Sequence, residues 1–112
     1  MLVEFSVIPV GSGPQMKEPV AQVVDMIDKS GLPYQVTATS TIIEGDWDNV
    51  MPLVRRCLED VRRGSPRVVA TLKIDDEGGE TNQLESNVRD VEEMLGKRPP
   101  SSKAVQTRPE NR

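Results

Sequence analysis

The 112-residue chain has no histidine, one cysteine (Cys57), and three aromatic residues, Phe5, Tyr34 and Trp47. Without histidine there is no His-based triad, no imidazole metal ligand and no ordinary general base near neutral pH. One cysteine makes neither an intramolecular disulfide nor a cysteine-rich zinc site, which points to a reducing compartment. A formal charge of −4 excludes the basic footprint of non-specific nucleic-acid binding. No run reaches the roughly 18 apolar residues of a membrane span, and the first residues lack a basic-then-apolar leader. These absences predict a cytoplasmic protein with no cofactor and no membrane or nucleic-acid partner. The core has to be built from Val, Ile, Leu, Met and Ala.

What is present is patterning. Leu2 to Pro9 alternates, with Val3, Phe5 and Val7 on one side and Glu4, Ser6 and Ile8 on the other, as a half-buried strand does. Pro9 to Pro14 is a Gly/Pro loop. Helix one follows, with Pro19 suited to its first position, Val20, Val23, Val24 and Ile27 as its apolar stripe, and Gly31 as its stop. Tyr34 to Gly45 is extended and long for one strand. A tight hairpin near Thr39-Ser40 divides it into strands at 34–38 and 41–45.

Asp46 or Asp48 caps a second helix striped by Val50, Leu53, Val54, Cys57, Leu58 and Val61, with Pro52 admissible only in its first turn and Gly64 at its end. Arg67 to Asp75 is a fourth strand, with Val68, Ala70, Leu72 and Ile74 on one face. A third helix spans about Gln83 to Leu95. The order β-α-β-β-α-β, then α, predicts an α+β ferredoxin-like sandwich: a four-stranded antiparallel sheet with helices on one face. One domain occupies residues 1–96, and the polar tail 97–112 is expected to be disordered. The open sheet face mixes Glu4, Ser6, Ile8, Thr71 and Lys73, a composition that pairing with another subunit's sheet would cover.

Thr39-Ser40-Thr41-Ile42-Ile43-Glu44 concentrates three hydroxyls and a carboxylate in a β-branched run. Carboxylates fit strands poorly, so Glu44 is either an edge charge favoured by the following helix N-terminus or a ligand group. Thr39 and Thr41 are ordinary strand residues or ligand contacts. Ser6 either lines a pocket or lies under a subunit contact. Cys57, on the helix-two stripe, reads as a buried inert thiol. Trp47 either stacks on a ligand ring or anchors the start of helix two. Lys73 and Asp75 share a strand face and suit a structural ion pair across a dimer better than catalysis. Asp75-Asp76-Glu77 reads as a solvated loop, since a calcium site needs about six or more oxygens.

The segments Pro9-Val10-Gly11, Gly31-Leu32-Pro33-Tyr34, Thr41-Ile42-Ile43-Glu44-Gly45, Arg67-Val68 and Lys73-Ile74-Asp75-Asp76 together resemble the small ferredoxin-like thiamine-binding proteins, over about residues 2–95. The resemblance implies a non-enzymatic binder of thiamine or its hydroxymethylpyrimidine part. It also implies a homo-oligomer, dimer or tetramer, with sites near subunit contacts. On that reading Glu44, Thr41, Thr39 and Ser6 are the ligand-binding residues, with Glu44 taking the exocyclic amine and Thr41 a ring nitrogen. The rival reading is an oligomeric regulatory or interaction protein without a small ligand. Where this chain has Thr39-Ser40 at the hairpin tip, the family usually has Met-Gly.

Overall fold

The computed structural model describes residues 1–11, 17–78 and 83–96. Its elements are β1 (Leu2–Val10), α1 (Lys17–Ser30), β2 (Tyr34–Val36), β3 (Thr41–Glu44), α2 (Trp47–Arg63), β4 (Arg67–Asp75) and α3 (Gln83–Leu95). The sheet order is β2-β3-β1-β4, and every neighbouring pair is antiparallel. Each βαβ unit is split: β1-α1-β2 leaves room for β3, and β3-α2-β4 leaves room for β1. This is the expected α+β sandwich. The predicted tail, 97–112, lies outside the described residues.

The alternation of β1 sets the layers. Val3, Phe5 and Val7 are buried, and they meet Ile43, Tyr34, Val23 and Ile27 together with Val50, Leu53, Val54, Cys57 and Val61 of α2. Burial raises the Cys57 thiol to about 11, with Arg56 pulling it down and Asp60 pushing it up by less, so it stays protonated through neutral pH. That agrees with an inert core thiol.

Local signals set the helix ends. Asp46 Oδ1 accepts from the Asn49 amide at 2.9 Å and caps α2. Gly31, at φ +82°, ends α1 in the left-handed conformation that glycine tolerates. Two prolines depart from expectation. α1 begins at Lys17, so Pro19 is its third residue, still within the turn whose amides lack helical partners. Pro52 is the sixth residue of α2, past the first turn. It removes the bond to the Asp48 carbonyl, but both residues are exposed and water can replace that donor.

Gly45 joins β3 to the α2 cap. A Cβ there would lie 2.8 Å from Val50 Cγ2 and 3.4 Å from Leu32 Cδ2, and Val50 is fully buried. Gly45→Ala is expected to destabilise the fold by about 1–3 kcal/mol through overpacking. A lowered urea midpoint at unchanged m-value is the measurement.

Candidate functional site

The tip of the β2–β3 hairpin is closed without glycine or asparagine. The strands are shorter than expected, and residues 37–40 form the turn between them. Thr37 N donates to Ser40 O at 2.8 Å, and the Thr37 hydroxyl accepts from Ser40 N at 3.1 Å. That same hydroxyl donates to Ser40 O at 2.9 Å. One threonine side chain thus supplies what a turn glycine would otherwise relieve, in the manner of a hydroxyl-closed turn. Ser40 Oγ then donates to Glu4 Oε2 at 2.9 Å, tying the turn to β1.

This turn leans over a gap in the sheet. β1 pairs with β4 along all nine of its residues, but with β3 only from Leu2 to Phe5. Past Phe5, none of the described strands lies beside that side of β1. A cleft of about 300 Å3 occupies that place, between β1, α1 and the turn. Its walls are Phe5, Val7, Val20, Val23 and Val24, and its polar lining includes Ser6, Thr39 and Thr41.

Three of the four residues expected at a site are therefore brought together. Thr41 opposes Phe5 on the helix side of the sheet and is buried, whereas Ser6 belongs to the other face. Both reach the cleft because it lies where the sheet is interrupted. Among the described residues, the hydroxyls of Ser6, Thr39 and Thr41 make no side-chain hydrogen bond, while Thr37 and Ser40 are engaged by the turn. Sequence reading did not pick out Val20, Val23 and Val24 as cleft walls. Val20 lies on the predicted α1 stripe yet is 42% exposed, because the stripe turns its far end toward the cleft.

Glu44 is elsewhere. Its residue opposes Leu2, on the side away from the α1–α2 core, and it is only 8% exposed. Its carboxylate accepts from the Gln83 amide at 2.6 Å and, more loosely, from the Leu84 amide at 3.5 Å. It caps α3 from outside the helix, where the unpaired amides and the dipole favour an anion. The helix favouring this charge is thus α3, rather than α2 as the sequence suggested. Beside it the Gln83 side chain is 2% exposed, and neither polar atom of its amide has a hydrogen-bond partner among the described residues.

Trp47 does not anchor α2 by burial; it is 57% exposed. It borders a larger groove, about 540 Å3, along the outer side of α2 with Met51, Arg55, Arg56 and Glu59. Among the described residues one helix supplies the whole lining of that groove, a one-sided surface rather than an enclosing cleft. No group of His, Cys, Asp or Glu among the described residues could hold a metal ion. No helix among them is long and apolar enough to cross a membrane.

A family profile described as thiamine-binding protein matches residues 3–92. The chain belongs to this thiamine-binding protein family. It is 42% identical over 96 residues to the UPF0045 protein Mb1933 of Mycobacterium bovis, covering 85% of this chain and 94% of that one. Among solved structures, the hypothetical protein MJ1052 of Methanocaldococcus jannaschii superposes with a TM-score of 0.75 at 28% identity, over 82% of this chain and 95% of that one. A Thermotoga maritima protein, described with reservation as a thiamine biosynthesis or salvage protein, superposes at 0.70 with 24% identity over 80% and 96%, a likeness of fold alone. The family name points to a thiamine-related ligand.

Proposed function

We propose that this member of the thiamine-binding family is a non-enzymatic cytoplasmic binder of thiamine or its hydroxymethylpyrimidine part, and that the pyrimidine sits in the cleft beneath the 37–40 turn. One observation carries the assignment: three unengaged hydroxyls, of Ser6, Thr39 and Thr41, converge on an apolar-walled cleft. A hydroxyl both donates and accepts. That matches an aminopyrimidine, which offers an amine donor and ring-nitrogen acceptors on one edge. The valines and Phe5 supply flat apolar contact for the ring. The cleft volume stands at the small end of the roughly 300–1,000 Å3 of small-molecule sites. Among the described residues its lining holds no acidic side chain, so it suits the neutral pyrimidine better than the cationic thiazolium.

A specific observation favours a second location for the same ligand. The Gln83 amide is buried with no partner among the described residues, and such groups ordinarily have one. Gln83 with Glu44 would present a donor, an acceptor and a carboxylate to an aminopyrimidine. The sheet face bearing the exposed Ile8, Val10 and Val69 supports assembly into a dimer or tetramer.

Calorimetry with hydroxymethylpyrimidine and with thiamine tests the function. Binding of the pyrimidine is expected, with thiamine no tighter. Absence of heat for both ligands at millimolar concentration overturns the proposal and leaves the regulatory or interaction protein.

A further inference from the structure

The bonds inside the 37–40 turn fix its shape but not its place. Thr37 and Ser40 bond to each other through backbone and hydroxyl, and those contacts would travel with the turn if it swung. The ladder joining β3 to β1 stops at the Thr41–Phe5 pair, and β2 is paired only to β3. The turn therefore projects past its last anchor in the sheet. Among the described residues, a single hydrogen bond ties it to another element: Ser40 Oγ donates to Glu4 Oε2 at 2.9 Å.

Glu4 itself lies outside the cleft. It alternates with Phe5 and Val7, so it belongs to the other face of β1, and the cleft lining does not include it. Continuing the β1–β3 register by one step would set Ser40 against Ser6. The Ser40 hydroxyl instead reaches back along β1 to Glu4, its diagonal neighbour on the same face. Lys73 stands directly opposite Glu4 on β4 but makes no ion pair with it. Among the described residues, the group held by the Glu4 carboxylate is the Ser40 hydroxyl.

That hydroxyl has one proton and two acceptors within reach. Glu4 Oε2 lies at 2.9 Å and Thr37 Oγ1 at 3.1 Å. Given to Glu4, the proton ties the turn to β1. Given to Thr37, it stays inside the turn. A bond to a carboxylate is the stronger of the two, so the tied arrangement prevails. The other arrangement leaves no donor orphaned, so releasing the turn costs only the difference between the two bonds.

We propose that Glu4 is a positioning residue for the ligand: through Ser40 it holds the 37–40 turn in place at the cleft, and so sets how fast a bound pyrimidine leaves. The role rests on the cleft being the ligand site. Thr37, Thr39 and Ser40 all border that cleft. A turn held in one place presents the Thr39 hydroxyl already oriented, whereas a swinging turn has to be ordered when the ligand binds. Loss of the tie therefore shows mainly in dissociation.

Calorimetry and NMR titration of the full chain with hydroxymethylpyrimidine test it. Glu4→Ala is expected to weaken binding by about three- to tenfold, chiefly through faster dissociation. Glu4→Gln keeps an acceptor oxygen and is expected to recover most of that affinity. Ser40→Ala should reproduce the loss, and Glu4→Ala combined with Ser40→Ala should lose no more than either alone. In the ligand-free protein, amide relaxation of residues 38–40 is expected to show added motion in Glu4→Ala and not in Glu4→Gln. Urea unfolding of each variant identifies any loss that comes from the fold. Unchanged affinity in Glu4→Ala, with the wild type binding, overturns the role and leaves the cleft as the site. Losses that add in the double variant, a loss that Glu4→Gln does not recover, or an unchanged turn in ligand-free Glu4→Ala overturn it as well. A wild type that binds no pyrimidine overturns the proposed function, and the ligand role of Glu4 with it.

Discussion

Ser6→Ala combined with Thr41→Val is expected to weaken hydroxymethylpyrimidine binding by about ten- to hundredfold. The magnitude follows from two neutral hydrogen bonds at about 0.5–1.5 kcal/mol each. The stability outcome makes the experiment discriminating. Thr41 is 6% exposed, and its hydroxyl makes no hydrogen bond among the described residues. Valine has nearly the same shape, so the substitution removes the hydroxyl that borders the cleft without opening a cavity in the core. Affinity should fall while the unfolding midpoint holds. A residue present only for the fold would show the reverse. Unchanged calorimetric affinity in the double variant would remove the cleft as the site.

Glu44→Ala is expected to act on the fold. The carboxylate is buried, and it accepts from the first amides of α3. Hydrogen bonds to a charged acceptor contribute about 1.5–3 kcal/mol net, and the helix dipole adds to them. Removing the acceptor should lower stability by about 2–3 kcal/mol and free the amides of α3 to exchange with solvent. Glu44→Gln keeps the shape and one acceptor and should fall between. Hydrogen exchange of residues 83–95 is the direct readout. Pyrimidine affinity should survive Glu44→Gln if the ligand is in the cleft. A tenfold loss there, reproduced by Gln83→Ala, would move the site to the Glu44–Gln83 locus.

The regular elements were legible because local signals agreed with one another. Arg67–Asp75 and Gln83–Leu95 have the bounds read from alternation and from helical spacing. The hairpin was legible as a hairpin, but its turn was not. No sequence rule for glycine-bearing turns anticipates Thr37 closing a four-residue turn through its own hydroxyl. The grouping of Ser6 with Thr39 and Thr41 was readable from the residue types and the family resemblance. The cause of the grouping was not, since it depends on β1 outrunning β3, which is a matter of register. Glu44 was singled out for the right reason, a carboxylate out of place in a strand. The group it meets comes from an element 39 residues further along the chain, and no local pattern connects the two.

The closure of the hairpin by Thr37 has an evolutionary corollary. The turn is held at its two ends, by Thr37 and by Ser40, while Ala38 and Thr39 between them border the cleft and lie outside both strands. Selection can therefore exchange those two side chains, and with them the shape offered to a ligand, without disturbing a core residue or a ladder bond. With the proposed site in this cleft, what the protein recognises would be set in part by two exposed positions that the fold leaves free to vary.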